Sequence, residues 1–181
     1  MMPRPASRPA ARPARAKRSA VSKRDDARAP DVKVLPKALG AAFPAGRMLI
    51  ASPLEVQAVL AKVPSGHVIR VGALRAQLAR RFGADYTCPV TTGIFLRIAA
   101  EAAEEERGDG APGALAWWRV VRDDGTLLDT LPGGRAEQAR HLEREGVAVT
   151  RVRGVPRKVD AVDDIAVVPR VGRAKTAAVH A

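Results

Sequence analysis

Cys88 is the residue of this sequence whose type and position most suggest nucleophilic chemistry. It is the only cysteine among 181 residues, and it precedes a proline at the predicted start of a helix. A thiol in that position can be activated as a thiolate. A nucleophilic cysteine also needs a base, and the histidines lie far from it in sequence, at His67, His141 and His180. We therefore favour a structural role for Cys88, with a transferase activity that uses its thiol as the alternative.

Asp123 and Asp124 could act as paired carboxylates in acid–base catalysis. They precede Gly125 and a β-prone segment, and Asp-Asp-Gly in that setting is more typical of a turn. No spacing of cysteine and histidine matches a metal site. We therefore expect no catalytic residue, no metal and no cofactor.

The two tryptophans, Trp117 and Trp118, are adjacent. The indole lone pair belongs to the ring, so tryptophan is no nucleophile and offers only an N–H donor. Alternation along a strand would point one ring inward and the other outward. At least one of them is expected to be structural, while the other could equally pack or line a pocket.

Predicted helices position these residues. Ser52-Pro53-Leu54-Glu55 predicts a helix start, with Ser52 as the N-cap and Glu55 completing a capping box, and Pro64-Ser65-Gly66 ends that helix. A second helix is predicted over Ala73–Phe82 and ends at Gly83. A third begins at Thr87-Cys88-Pro89, and its predicted apolar stripe contains Ile94, Phe95, Ile98 and Ala102.

A hairpin and a last helix follow. Trp117–Val121 and Thr126–Leu128 flank the Asp-Asp-Gly turn, which predicts the hairpin, and the last helix is expected over about Arg135–Glu145. β-Branched stretches at Val147–Val152 and Ile165–Val168 could add short strands. Two helices joined by a glycine-containing turn and followed by a hairpin predict a winged helix-turn-helix. The expected fold class is mainly α with a small β-hairpin or wing, in a single domain with disordered basic tails.

The positive charge is concentrated at the ends of the chain. The net charge is +12, and residues 1–37 hold 11 Lys/Arg against 3 Asp, whereas residues 38–150 hold 13 of each sign. We expect a disordered Ala/Pro/Arg-rich tail over 1–37, a DNA-binding domain over 48–150, and a basic, partly disordered extension over 151–181. Basic tails can supply salt-sensitive affinity for phosphate without a folded site.

Composition also bears on location. No run of residues is long and apolar enough for a membrane span or a signal peptide. The single cysteine suits a reducing compartment. The Ala/Arg/Pro bias of the N-terminus superficially resembles an organellar transit peptide, and a high-GC bacterial origin explains it at least as well. We expect a monomer in the bacterial cytoplasm, associated with the nucleoid and not with a membrane.

Four local motifs occur in one consistent order over about residues 50–150. They are Val63-Pro64-Ser65-Gly66-His67-Val68, Cys88-Pro89-Val90-Thr91-Thr92-Gly93, the segment from Trp117-Trp118-Arg119 to Gly125, and Leu131-Pro132-Gly133-Gly134 with Leu142-Glu143-Arg144-Glu145-Gly146-Val147. They resemble, in turn, a Val-Pro-x-Gly-x-Val start, a Ser-Pro-Arg-Ala-Val-Gly recognition helix, a Pro-Cys-His-Arg-Val-Val active-site strand, and a Gly-Gly loop with a Leu-x-x-Glu-Gly-Val helix end. Those elements make up the DNA-binding half of the O6-alkylguanine-DNA alkyltransferases.

The departures from that family concern its chemistry. In the family a thiolate beside a histidine takes the alkyl group from a flipped guanine, and those two positions are Trp117 and Trp118 here. The arginine that fills the gap left by the flipped base falls at Val90, a tyrosine falls at Val71, and an asparagine near the end of the recognition helix falls at Ile98. The resemblance therefore implies no alkyl transfer. Val90 could still act as an apolar wedge between base steps.

The resemblance implies a non-catalytic DNA-binding protein like the alkyltransferase-like proteins, which bind alkylated DNA without repairing it and pass the lesion to excision repair. Double-stranded DNA is then the expected partner, with excision-repair proteins as further partners. A transcriptional or nucleoid-associated factor that kept the fold and lost lesion recognition is the alternative. The candidate DNA contacts are Arg70, Arg75, Val90, Thr91, Thr92 and Arg97. The candidate lesion pocket is formed by Trp117, Trp118 and Arg119.

Overall fold

The N-terminal part of the described chain contains a helix and two strands. A computed structural model describes residues 18–174 and the backbone of residues 178–180. Helix α1 (Ala20–Asp25) begins at Ser19, whose side chain accepts a hydrogen bond from the backbone N–H of Ser22. Strands β1 (Asp31–Leu35) and β2 (Gly46–Ile50) follow and pair antiparallel. The prediction of disorder over 1–37 is therefore wrong for residues 18–37, while residues 1–17 lie outside the described residues.

Helix α2 (Pro53–Leu60) begins where the sequence predicts. The Ser52 hydroxyl accepts a hydrogen bond from the backbone N–H of Glu55 at 3.3 Å. The Glu55 carboxylate does not return to the cap, because it accepts a hydrogen bond from Nε of Arg81 at 2.7 Å. Only half of the predicted capping box is therefore formed.

Two helices joined by a short turn make the centre of the fold. Strand β3 (Ile69–Arg70) leads into α3 (Val71–Phe82), which ends at Gly83 with a left-handed φ of 64°. That conformation favours glycine because no Cβ opposes it. Strand β4 (Tyr86–Thr87) then precedes the long helix α4 (Pro89–Gly108). Helix, glycine turn and helix follow one another as the sequence predicts.

The buried face of α4 differs from the predicted apolar stripe. Ile94 is exposed, and Phe95 and Ile98 are half-buried. The residues that face the core are mostly alanines, which let neighbouring helices approach closely; they are Thr92, Leu96, Ala99, Ala100, Ala102 and Ala103. Of the predicted stripe, only Ala102 is fully buried.

The acidic end of α4 is held by α1. Glu105 accepts hydrogen bonds from the backbone N–H groups of Ala20 (2.7 Å) and Val21 (3.0 Å), and Arg24 pairs with Glu106 at 2.5 Å. Carboxylates near a helix C-terminus interact unfavourably with the helix dipole. The first turn of α1 and the Arg24 guanidinium offset this cost, so these glutamates join the N-terminal segment to the body of the protein.

The predicted hairpin around Asp123-Asp124-Gly125 does not form. Trp117–Arg119 is a 3-10 helix, and β5 (Val120–Val121) pairs in parallel with β3. The turn itself is present, since the N–H of Arg122 donates to the carbonyl of Thr126 at 2.9 Å. The residues after the turn pair elsewhere, because Thr126 bridges to Lys158. The Asp-Asp-Gly sequence therefore predicted the turn correctly, but the strand that pairs with β5 is β3, about fifty residues earlier in the chain.

The hairpin of this fold lies further along the chain. After α5 (Gly134–Arg144), β6 (Val149–Val152) and β7 (Val155–Val159) pair antiparallel, and the short helix α6 (Val162–Ile165) follows. The predicted extension over 151–181 is therefore structured over most of its described length. The β-branched stretches at Val147–Val152 and Ile165–Val168 do contribute strand pairing.

A four-stranded sheet makes the fold mixed α/β rather than mainly α. Its strand order is β4-β2-β1-β8, where β8 (Ala178–His180) runs parallel to β1 and β4 runs parallel to β2. Among the described helices, none is long and apolar enough to cross a membrane. The main core lies between this sheet and helices α2, α3 and α4, and includes Val32, Leu49, Val56, Leu74, Leu78 and Trp117.

The C-terminal segment runs along α3. The Gln77 amide donates to the carbonyl of Pro169 at 2.5 Å, the Arg81 guanidinium donates to the carbonyl of Gly172 at 2.8 Å, and the Ala174 N–H donates to the carbonyl of Arg81 at 3.0 Å. These bonds fix residues 169–174 against the helix. The cations of this segment are therefore held beside α3, within the extension that the sequence predicted to be partly disordered.

Candidate nucleic-acid interface

The first turns of α4 present an exposed and largely apolar surface. Val90 is 58% exposed and Ile94 is 51% exposed, and Gly93 between them is open to solvent. Arg97 is also exposed, one turn further along. The predicted wedge residue, Val90, is thus free to contact a partner.

The two threonines of the predicted recognition helix have different surroundings. Thr91 is half-buried, with its hydroxyl 3.5 Å from the Cys88 carbonyl. Thr92 is buried and donates a 2.7 Å hydrogen bond to the same carbonyl. The predicted DNA contact Thr92 therefore lies below the surface, with its hydroxyl occupied in stabilising the start of α4.

The three predicted arginines are not equally available. Arg70 pairs with Asp163 of α6, and Arg97 donates to Glu101 at 2.7 Å on its own helix. Arg75 forms no ion pair in the described part of the chain. Of the three, only Arg75 therefore offers an uncompensated charge.

Arg75 belongs to a group of four arginines that the sequence does not bring together, which we call the arginine patch: Arg47, Arg75, Arg80 and Arg173. Arg75 and Arg80 line a cleft of about 700 Å³ between α3, the 84–89 turn and the β1–β2 loop. The guanidinium groups of Arg47 and Arg173 approach Gly83, at 3.9 and 3.6 Å from the position of an added Cβ.

The charge of the arginine patch is largely uncompensated. Within the described residues none of its four guanidinium groups has a carboxylate within 4 Å. The one acidic side chain that lines the cleft is Asp85, which accepts a hydrogen bond from the backbone N–H of Arg47 at 2.7 Å. The patch is therefore a surface on which a polyanion can be held.

The position that corresponds to the alkyl acceptor is closed. Trp117 has no exposed surface, and its indole N–H donates a 2.6 Å hydrogen bond to Glu104 of α4. Its ring meets the rings of Trp118 and His141 edge-on, with centroids 5.9 Å apart in each case. A base could enter this position only by displacing the largest side chain of the core.

Trp118 is packed by aromatic and charged groups. Its ring stacks on His141 with centroids 4.1 Å apart, the Arg107 guanidinium lies 4.9 Å from its centroid, and its N–H donates to Glu145 at 2.8 Å. Burial lowers the pKa of His141, and Arg107 and Arg144 lower it further, which outweighs the opposite effect of Glu137. A neutral imidazole is therefore the form that fits this stack.

Arg119 and Glu145 form a largely buried ion pair. Arg119 donates to both carboxylate oxygens at 2.7–3.1 Å, and its remaining donor reaches the carbonyl of Val63 at 2.6 Å. Glu145 also accepts the backbone N–H of Gly66 at 3.1 Å. Burial raises the pKa of Glu145, but hydrogen bonds from Arg119, Trp118 and Gly66 more than compensate, and the net pKa is lowered.

Glu145 thereby connects three of the four motifs that carry the resemblance. The first supplies Val63 and Gly66, the third supplies Trp118 and Arg119, and the fourth supplies Glu145 itself. The second motif, at the start of α4, takes no part in this cluster. Three motifs therefore have a structural explanation that needs no ligand.

The predicted lesion pocket and the predicted recognition residues do not form one site. Trp117 is bonded to Glu104 near the end of α4, whereas Val90 and Thr91 lie in its first turn. A helix rises about 1.5 Å per residue, so Glu104 lies roughly 20 Å from Pro89 along the axis. Ile98, the position of the family's asparagine, lies within the helix, which continues for ten further residues. The two halves of the predicted site are thus separated.

Cys88 is a structural residue of the α4 start. Its side chain is buried, its N–H donates to the carbonyl of Leu49 at 2.8 Å, and its carbonyl accepts the N–H of Thr92 at 3.1 Å. Within the described residues, no three His, Cys, Asp or Glu side chains come together as metal ligands would. This surrounding favours the structural interpretation of Cys88.

Sequence reasoning missed most of the arginine patch. Arg80 could have been included, since helical spacing places it on the outer side of α3 with Arg75. Arg47 and Arg173 carry no such signal, because they are 126 positions apart and meet only through the fold. Comparisons with protein-family models, curated proteins and solved structures gave no match to this chain.

Proposed function

We propose that this protein is a non-catalytic, duplex-DNA-binding protein related to the alkyltransferase-like proteins. In this proposal α3 and α4 act as a helix-turn-helix, the arginine patch holds phosphates, and the target duplex keeps all its bases stacked. The observation that carries it is the arginine patch, whose four arginines form no ion pair with the described residues and lie beside the turn that joins the two helices.

The charge distribution along α4 supports docking at one end of the helix. From Val71 to Ile98 the chain has four arginines and one aspartate, while the last ten residues of α4 contain four glutamates. Three of these glutamates are engaged with α1, Arg24, Arg107 or Trp117 at the far end. A phosphate backbone would therefore meet attraction at the first turns and no nearby carboxylate cluster.

The closed acceptor position favours binding without base flipping. Lesion recognition needs a cavity that accepts an extruded base, and Trp117 fills the corresponding volume. Val90 and Ile94 can instead contact sugars or base edges in a shallow groove. The version of the proposal that fits best is therefore a nucleoid-associated or regulatory DNA-binding factor.

Recognition of alkylated DNA is the second candidate, and one observation favours it. Trp118 and Arg119 border a cleft of about 290 Å³, together with Leu60 and the 113–116 loop. In this version the alkylated base would occupy that cleft, and excision-repair proteins would be the partners that take over the lesion.

Fluorescence anisotropy with two labelled duplexes tests both versions. The duplexes differ only in one guanine or O6-methylguanine, and each is titrated at two salt concentrations. We expect equal affinity for both duplexes. A clear preference for the alkylated duplex would establish lesion recognition in place of the proposed version.

The same assay with Arg75→Ala/Arg80→Ala tests the arginine patch. Loss of two phosphate contacts should weaken binding by about tenfold or more and reduce the salt slope by roughly two. Arg140→Ala/Arg144→Ala, on exposed positions of α5, is the matched control and should leave both quantities unchanged. Equal losses in the two variants would show that only bulk charge matters, and no loss in either would reject the patch.

A further inference from the structure

The β6–β7 hairpin is a basic arm without an acidic residue. Residues 149–159 contain Arg151, Arg153, Arg157 and Lys158 and no aspartate or glutamate. Two apolar side chains flank the tip, Val152 at 52% and Val155 at 58% exposed. Core packing does not account for this composition, since nearly every position between 150 and 158 is exposed.

The tip has a backbone conformation that arginine disfavours. Arg153 and Gly154 both have positive φ, 52° and 79°. A two-residue hairpin turn of this kind is best made by Asn-Gly, because asparagine tolerates the left-handed region, whereas an arginine there costs about 1 kcal/mol. Arg153 forms no ion pair in the described part of the chain. Stability alone would therefore favour another residue at this position.

The base of the hairpin is firmly anchored while its tip projects. Val159 is buried in a second core cluster with Val121, Leu127, Leu142 and Val147. The N–H of Val159 donates to the carbonyl of Gly125, and the N–H of Leu127 donates to the carbonyl of Arg157, at 3.0 and 2.9 Å. A five-residue strand spans about 16 Å, so the tip can lie well away from this anchor.

The anchor lies next to the start of α3. Asp123 accepts a hydrogen bond from the backbone N–H of Gly72 at 2.7 Å, and Gly125 in the same turn holds Val159. Gly72 also lines the cleft that contains Arg75 and Arg80. The hairpin therefore begins beside the arginine patch. Three acids lie near the hairpin: Asp160 bonds to Thr150 and Asp163 pairs with Arg70 at the anchored end, and Glu143 of α5 pairs with Arg151 of β6.

We infer that the β6–β7 hairpin is a second DNA contact, a wing that places Arg153 in the minor groove beside the segment held by the arginine patch. An arginine between two small apolar side chains fits a narrow, electronegative groove, with Arg157 and Lys158 set for the bordering phosphates. This inference rests on the proposed DNA binding and names a site that the sequence placed elsewhere.

Arg153→Asn in the full-length protein tests the wing. It removes the cation and supplies the residue that the turn prefers, so thermal stability should stay equal or rise. DNA affinity should fall roughly three- to tenfold, with a salt slope lower by about one. Hydroxyl-radical footprinting should show a minor-groove protection that wild type gives and the variant lacks. Arg144→Gln is the control and should change none of these quantities.

The outcomes separate the wing from the proposed function. If Arg75→Ala/Arg80→Ala loses binding while Arg153→Asn binds and protects DNA as wild type does, DNA binding stands and the wing is rejected. If wild type binds no duplex at low salt, the proposed function fails first. Binding to vesicles of anionic phospholipid that depends on Arg153, without binding to duplex, would reject both and assign the hairpin to a membrane surface.

Discussion

The two ends of α4 differ in almost every physical property. At its last turns, Trp117, Arg107, Arg24 and the start of α1 engage the three consecutive glutamates of residues 104–106. At its first turns Val90 and Ile94 are exposed, and Arg75 and Arg80 of the neighbouring α3 form no ion pair within the described residues. A region whose groups satisfy one another contributes to stability, whereas one with unpaired charges is available for a ligand. Of the residues that carry the resemblance, those at the last turns of α4 have a structural role, and those at its first turns are the ones for which we propose DNA binding.

Trp117→Ala tests the closed end and should have the largest effect. Removing a fully buried tryptophan leaves a cavity, and the free energy of unfolding should fall by about 3–5 kcal/mol. Trp117→Phe keeps most of the packing but removes the indole donor to Glu104, which retains only its ion pair with Arg107, so about 1–3 kcal/mol is expected. Chemical denaturation measures both. A loss below about 1 kcal/mol for Trp117→Ala would mean that this end is not closed in solution.

Glu145→Gln tests whether the three motifs are held together by one ion pair. The neutral side chain leaves Arg119 buried and unpaired, which should cost about 3 kcal/mol of unfolding free energy. Glu143→Gln makes the same chemical change on the exposed side of the same helix end, where it breaks only the exposed pair with Arg151. This control should stay within about 0.5 kcal/mol of wild type. Similar values for both substitutions would contradict the structural role of the Arg119–Glu145 pair.

Deletion of residues 1–17 tests whether charge outside the described fold adds DNA affinity without adding stability. These residues contain five Lys/Arg and no acid, and they end before α1 and β1 begin. The deletion should lower DNA affinity and reduce the salt slope by up to about 4, with unchanged thermal stability. Deletion of residues 1–37 would remove α1 and β1 as well and should unfold the protein. An unchanged salt slope for the shorter deletion would show that the tail makes no phosphate contact.

A smaller effect is expected from the largely buried His141, whose titration should appear in the pH dependence of stability. Because the folded-state pKa of His141 is lowered, the unfolded chain binds its proton first as the pH falls below about 6.5. The free energy of unfolding should therefore decrease from that pH downward, until the folded state is protonated too. His141→Gln should flatten this part of the curve. Glu145, with its lowered pKa, contributes to acid lability only below the ordinary carboxyl range.

Local signals in the sequence were sufficient to predict where several helices begin and end. Ser52, Gly83 and Pro89 mark helix ends through backbone chemistry that acts over a few residues. What could not be predicted depends on distant partners. Val32 in β1 is buried by pairing with β2 and by the core, and β5 pairs with β3 rather than with the residues after its turn.

The candidate site divides in the same way. Arg75 could be named from its outward position on a predicted helix, and Val90 from the resemblance. Arg47 and Arg173 of the arginine patch meet only through the fold. Thr92 and Trp117 have the residue types of a binding site, yet hydrogen bonds to Cys88 and Glu104 occupy them. Residue type indicates what a side chain can do, whereas its partners decide whether it is free to do so.

The position of Cys88 makes its thiol a reporter of local opening at the first turn of α4. The thiol is the single one in the chain, it is buried, and it lies at the first turn of α4 against Leu49. Its rate of alkylation by a small reagent therefore reports how often that turn separates from the sheet. A duplex bound across α3 and α4 should slow this alkylation without touching the sulfur, so the native cysteine can report occupancy of that surface without an engineered probe.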